Sequence, residues 1–292
     1  MKKELGLALG GGFVRGMAHI GVLKTLEAEG IRPSIVAGTS AGSLVAGLYA
    51  AGWSVKEMED MARSLHADDF LDPRLIRNLW RLAAYEISQR FRATRGKAPP
   101  LGVLPGANLT SFINKMFGAL RFTELQIPLV VTATDIISGK RVLFTSSSLR
   151  RDEFLPLSNP PVAQAVRASC TVPGLFEPVR IGKMLLVDGS VRETVPAEAT
   201  RWAGARVVVA VDVGAGGGEN QSMESLLDIL AESWELAMSE GKRKELETYA
   251  DLVIKPELKA AGRWDFSKCS HYIKAGEQAA QAGLPEISRL LK

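Results

Sequence analysis

From Pro33 to Val55 the chain runs without a charged residue. That length suits a membrane span, and Gly38 and Gly42 have the spacing of a membrane-helix packing motif. Yet Pro33, Gly38, Gly42, Gly47 and Gly52 punctuate the stretch too densely for an isolated helix. A buried strand, a tight turn and a buried helix account for the same apolarity. Ile35-Val36-Ala37 supplies the strand, Gly38-Thr39-Ser40-Ala41-Gly42 the turn, and a small-residue helix starts near Ser40. The preceding residues repeat the plan. Leu5–Leu9 reads as a buried strand that ends in Gly10-Gly11-Gly12. A helical pattern then runs from Gly16 through Ala18, Val22, Leu23 and Leu26 to a capping Gly30. Strand, turn, helix, twice over, predicts an α/β architecture with parallel neighbouring strands.

Further strands are expected at Leu129–Ala133, Arg141–Phe144, Met184–Val187, Val207–Val211 and Leu252–Ile254. Helices are expected at 54–65, 108–117, 161–168, 194–203, 222–248 and 270–282. The stretches 97–106 and 214–222 read as loops. Sheet elements lie on both sides of each, so residues 1–292 are expected to form one domain. At 46% hydrophobic and 23% charged residues the chain is of globular type. A net charge of +4 favours acidic partners: anionic lipid, nucleic acid or an anionic substrate. Cys170 and Cys269 are too few and too far apart for a disulfide framework or a metal site. The N-terminal apolar run is too short and glycine-broken for a signal peptide, which points to the cytoplasm.

A serine hydroxyl needs a base for its proton and donors for the oxyanion it creates. Gly38-x-Ser40-x-Gly42, between a strand and a helix, matches the nucleophile elbow, with Ser40 at the apex. The amides that follow, Ala41 first, stand at a helix N-terminus, which favours an anion. The plainer role for Ser40 is that of helix N-cap. The earlier glycine loop, "LALGGGFVRG", presents three readings. A Walker loop fails because Arg15-Gly16-Met17 stands where Gly-Lys-Ser/Thr is needed. A dinucleotide loop wants an acid at the end of the next strand, where the serine elbow sits instead. An oxyanion hole built from Gly11, Gly12 and their neighbours fits two adjacent strand ends.

For the base there are 3 histidines. His19 lies in the first helix and His66 near a helix end. Only His271 has the chain order of a Ser–Asp–His scheme. Asp188, where the strand of "MLLVDGSV" runs into Asp-Gly, is the better candidate, against an ordinary Asp-Gly turn. Asp135 and Asp212 also follow apolar strands, and turn or cap formation is their expected role.

Taken in order, the glycine loop with Arg15, the Gly-x-Ser-x-Gly elbow and the Asp-Gly-small motif resemble the patatin-like phospholipases. "GMAHIGVLKTLEAEGI", "TATDIISGK", "SCTVPGLFEPV" and "VDGSVRETVP" are similar to bacterial members, and the likeness runs over about residues 5–255. The resemblance implies an α/β/α three-layer sandwich with a mostly parallel central sheet and a Ser–Asp dyad without histidine. It implies Ser40 as nucleophile, Asp188 as base, Gly11 and Gly12 as oxyanion donors, and Arg15 at the motif's basic position, orienting the loop or meeting a lipid phosphate. It implies a lipid or other acyl-ester substrate and no metal or cofactor. Two positions depart from the pattern. Phe13 replaces the third glycine of the loop, and Ser190 stands where Asp-Gly is usually followed by Gly or Ala. A phenylalanine avoids left-handed backbone. Phe13 is therefore expected at negative φ, with its amide still a donor and its ring in the acyl pocket.

Residues 74–97 carry many basic groups and one acid, Glu86, with an apolar helical stripe. They read as a solvated helix packed on the core, or as a basic amphipathic helix on an anionic membrane. The segment 74–106 is thus a candidate lid or membrane-facing insertion. No recognisable nucleic-acid fold accompanies these charges. The expectation is a serine acyl-ester hydrolase. An acyltransferase using the same acyl-enzyme, or a regulatory protein with a silent dyad, is the rival. Oligomeric state is not legible in the sequence.

Overall fold

The structure is a computed structural model that describes residues 4–70, 101–146, 154–214, 226–258 and 265–292. The basic segment 74–97 lies outside the described residues. A sheet of nine strands forms the middle layer. Its centre is β1 (Leu5–Leu9), flanked in parallel by β2 (Ile35–Gly38) and β8 (Val207–Val211), with β9 (Leu252–Ile254) parallel beyond β8. These strands are continuous apolar runs because both faces of the sheet are covered. Leu5, Leu7, Leu9, Val207, Val209 and Val211 pack towards one core; Ala8, Val208 and Ala210 pack towards another. The first core is closed by α1 (Ala18–Ala28), α2 (Ala41–Ala50), α4 (Ala107–Phe117), α5 (Val162–Ser169) and α8 (Cys269–Leu291). The second is closed by α6 (Ala197–Trp202) and α7 (Leu226–Tyr249). Helix, sheet, helix is the expected three-layer sandwich. Helix α3 (Val55–Arg63) follows α2 and begins with a Ser54–Glu57 capping box.

The other half of the sheet is mixed. Strand β3 (Leu129–Asp135) is parallel to β2 but antiparallel to β4 (Arg141–Thr145) and to β7 (Met184–Asp188). β5 (Phe154–Ser158) and β6 (Val179–Ile181) add to β4 and β7. One arrangement here positions the candidate site. Along one edge of β3, Gly38 of β2 faces Val131, and Asp188 of β7 faces Ala133. β2 and β7 therefore arrive from opposite directions and end nose to nose, with only Thr132 of β3 between them. The chain leaves β2 at Ser40 and leaves β7 at Gly189.

Three elements differ from the sequence expectation: β5 and β6 were not expected, and the last helix is longer. β5 contains Pro156, which weakens any strand reading, but β5 is bonded to β4 alone among the described residues and needs fewer donors. The last helix was expected to stop at 282, yet it continues through Pro285 to Leu291. Leu284 and Ile287 are buried against the core, and that packing outweighs one lost hydrogen bond.

Candidate active site

Ser40 sits between β2 and α2 with φ 52° and ψ −124°, a conformation costing on the order of 1–3 kcal/mol. It occupies the N-cap position, yet its side chain makes no capping bond. Its hydroxyl instead stands beside the Asp188 carboxylate and helps to hold that group's pKa down. The strained turn is held from both sides. The Ser40 N–H donates to Ser169 Oγ at 2.8 Å, and its carbonyl accepts from the amide of Ser43 at 2.8 Å and the hydroxyl of Ser43 at 2.6 Å. Gly38 and Gly42 are required by proximity. A Cβ on Gly38 would lie 2.4 Å from the Gly42 carbonyl oxygen, and one on Gly42 would lie 2.1 Å from that of Leu9.

Asp188 is buried at the end of β7, its N–H donating to the Thr171 carbonyl at 2.8 Å. Burial pushes its carboxyl up to about 6, against the opposing pull of hydrogen bonds from the Ser190 amide and from the Ser40 and Ser190 hydroxyls. The Ser190 amide bond to Oδ1 is 2.8 Å long. Ser190, a departure from the usual motif, donates its amide to the carboxylate. Only the three-dimensional turn shows this, since a serine two residues from an aspartate carries no signal by itself. Gly189 must lack a side chain because Thr132 Oγ1 would stand 2.3 Å from its Cβ. Thr39 ties the two strand ends together, its Oγ1 lying 2.8 Å from Thr132 Oγ1 and donating to the Glu193 carbonyl at 3.0 Å.

The glycine loop passes beside Ser40, with three corrections to the sequence expectation. The Gly11 N–H donates to the Thr194 carbonyl at 2.9 Å, so it does not point to the serine as a donor. Gly11 matters for space, since a Cβ there would lie 2.7 Å from Ser190 Oγ and 3.3 Å from Ser40 Cβ. Phe13 has φ +54°, not the negative angle expected. The chain turns here from the extended Gly12 into a 3-10 turn, Phe13–Met17, and the phenylalanine takes the left-handed angle that a glycine would take freely. Arg15 is buried, with α8 and its Tyr272 nearby, so it supports the loop from beneath and is not open to a lipid phosphate. The Gly12 and Ala41 amides have no hydrogen-bond acceptor among the described residues.

Ser40, Ala41 and Phe13 border a cavity of about 310 Å³, within the usual range of ligand pockets. The rest of its wall is apolar, including Leu44, Leu109, Ile113, Val172 and Phe176. Phe13 is one of the residues that line it. Cys170 also lines it, but burial and the nearby Asp188 charge push its thiol up to about 12, which leaves it protonated.

None of the histidines borders this cavity. His19 is fully buried and holds the loop, its Nε2 2.8 Å from the Gly10 carbonyl. Burial lowers its pKa to about 4, so it stays neutral. His66 caps a short turn and His271 is exposed on α8. Asp135 and Asp212 perform turn duties, Asp212 also pairing with Lys242 at 3.2 Å.

This geometry has relatives. The family model of the patatin-like phospholipases matches residues 7–201. The chain belongs to the patatin-like phospholipases. It is 30% identical over 212 residues to lysophospholipase NTE1 of Yarrowia lipolytica, covering 73% of this chain and 13% of that protein. It is 30% identical over 258 residues to mouse patatin-like phospholipase domain-containing protein 6, covering 87% of this chain and 16% of that protein. An NTE family protein of Mycobacterium tuberculosis is 29% identical over 210 residues, with 72% of this chain and 49% of that protein covered. The chain thus spans from about an eighth to about half of the length of these relatives. In fold it is similar to VipD from Legionella pneumophila, with a TM-score of 0.51 at 16% identity over 98% of this chain and 67% of that one. No described helix of this patatin-like chain is long and apolar enough to cross a membrane.

Proposed function

We propose that this patatin-like chain is a serine acyl-ester hydrolase acting on phospholipid or lysophospholipid through a Ser40–Asp188 dyad. The observation that carries the proposal is a strained serine beside a buried carboxylate, at the wall of an apolar cavity. The cavity takes the acyl chain and leaves the polar head group outside. Ser40 Oγ attacks the ester carbonyl while the Asp188 carboxylate accepts its proton. With its pKa raised to about 6, Asp188 is a stronger base than an ordinary aspartate and is still ionised at neutral pH. The Gly12 and Ala41 amides hold the oxyanion, helped by the N-terminus of α2. Asp188 then protonates the leaving alcohol, and later draws a proton from the water that cleaves the acyl-enzyme. The names of the NTE1 and domain-containing protein 6 relatives support the same substrate class.

A fluorophosphonate probe should label Ser40. Ser40→Ala should lose both labelling and hydrolysis of p-nitrophenyl esters, by a factor of about a thousand or more. Wild-type turnover by Ser40→Ala would sink the proposal.

A further inference from the structure

The β3–β4 turn reads Ile136-Ile137-Ser138-Gly139-Lys140. Turn tips normally carry polar residues, because they stand in water. Here Ile136 is 50% exposed and Ile137 65% exposed. The turn is not loose. Asp135 accepts from the amides of Ile137 and Ser138, from the Ser138 hydroxyl at 2.6 Å, and from the Leu185 amide at 3.0 Å. The Ile136 amide returns a bond to the Leu185 carbonyl at 2.9 Å. Leu185 belongs to β7, so the β3–β4 tip and the β6–β7 tip are fastened into one rigid projection. The second tip exposes Arg180 and Lys183, and Lys140 is exposed on the first. Neither 136–140 nor 180–184 contains an acid.

The projection stands at the end of the sheet where Ser40 stands. β3 passes the Ala133–Asp188 pairing and runs two residues further, which carries the tip roughly 7–10 Å beyond the dyad. The cavity wall, Val172 to Phe176, leads directly into β6. Edge cations alone are explained as protection against strand pairing. A rigid pair of outward isoleucines is not, since it would promote association in water.

We propose that this double-hairpin tip docks the protein on an anionic lipid bilayer, with the cavity mouth turned to the lipid. Ile136 and Ile137 enter the acyl boundary, and Lys140, Arg180 and Lys183 meet the head-group phosphates. The proposal rests on the lipid-hydrolase reading for its purpose, but its chemistry is that of the surface alone.

The test is co-sedimentation of the full chain, as wild type and as Ser40→Ala, with vesicles of phosphatidylcholine alone or of equal parts phosphatidylcholine and phosphatidylglycerol. Both proteins should bind the anionic vesicles preferentially, and less so as salt rises. Ile136→Ser with Ile137→Ser should lower partitioning roughly tenfold or more. Lys140→Glu with Lys183→Glu should do the same, while Ile137→Trp should retain binding. Hydrolysis of a soluble short-chain ester should be unchanged in every tip variant, which confirms folding. Wild-type binding by both double variants, or no vesicle binding by the wild type, overturns the proposal. Vesicle binding that depends on the tip, without any ester hydrolysis, would instead retain the docking surface and remove the hydrolase reading.

Discussion

At the scale of single residues, Asp188 trades stability for basicity. Its carboxyl titrates at about 6 when folded and near 3.8 when free. The native state therefore holds the proton more tightly than the unfolded chain. Stability falls as pH rises from about 4 through 6, and the full cost is present above that window. About two pKa units correspond to an upper bound on the order of 3 kcal/mol. Asp188→Asn should abolish esterase activity yet unfold at a higher temperature than the wild type at pH 8, the difference vanishing near pH 4. Paired thermal melts across pH check this, and a lower melting temperature for Asp188→Asn at pH 8 would contradict it. In the wild type, kcat/KM should fall on the acid side with a midpoint near 6.

Phe13 makes a different trade. Its left-handed backbone costs about 1–2 kcal/mol, offset by adding an aromatic residue to the lining of an apolar cavity. Phe13→Gly should remove that strain and enlarge the cavity beside Ser40. Turnover of short-chain esters should persist while preference shifts to bulkier or longer acyl groups, read as the ratio of kcat/KM along a chain-length series. An unchanged ratio would mean that the ring does not bound the acyl site. The residue type at position 13 was legible in the sequence as a departure; its angle was not. Side-chain propensity argued against positive φ, and the loop's need to turn into the 3-10 segment decided the matter.

At the scale of elements, α1 and α8 pack backbone to backbone. A Cβ on Gly21 would fall 1.9 Å from the Ile273 carbonyl oxygen, and one on Gly276 would fall 1.9 Å from that of Ala18. Gly276→Ala has no flexible neighbour to push aside. It should destabilise by about 1–3 kcal/mol, as overpacking does, measured as a lower denaturant midpoint with unchanged m-value. Since α8 also covers the Arg15 loop, activity should be lost at lower denaturant as well. The sequence showed α1 clearly through its apolar period, but α8 only in part. Gly283 and Pro285 are ordinary stop signals, and they were overridden by contacts with residues far away in the chain. β5 and β6 escaped for a related reason, one holding a proline and the other only three residues long.

On the scale of the whole molecule, the back layer reaches through the sheet to the site. Glu193 and Glu198 are buried, with a half-buried Glu245, beside Arg141, whose guanidinium lies 2.6 Å from Glu198 and 3.6 Å from Glu193. Burial and the like charge of the neighbouring Glu193 raise the Glu245 carboxyl well above the usual carboxylate range, and Glu193 is raised with it. The carbonyl of the same Glu193 receives Thr39, next to Ser40. Glu245→Gln removes one of two carboxyls that raise each other's pKa and should leave stability within about 1 kcal/mol of wild type at pH 7. Arg141→Met leaves buried acids without their cation and should cost about 3–5 kcal/mol. Chemical denaturation of both variants checks the contrast; equal losses would mean that Glu245 is ionised. None of this cluster is legible in the sequence, because its members come from three separate stretches. The elbow, by contrast, was legible because strand, turn and helix are contiguous there.

The end-to-end meeting of β2 and β7 makes β3 the ruler of the proposed dyad. The separation of Ser40 from Asp188 is set by how many β3 residues lie between their attachment points, Val131 and Ala133. The loops on the long path from α2 to β6 do not enter that measure. Loops there can lengthen, shorten or acquire whole insertions while the two side chains keep their distance. One extra residue within β3 would instead move Asp188 by about 3.3 Å and turn it to the opposite face of the sheet. The fold thus tolerates length change almost everywhere between its two chemical groups, and forbids it in one strand.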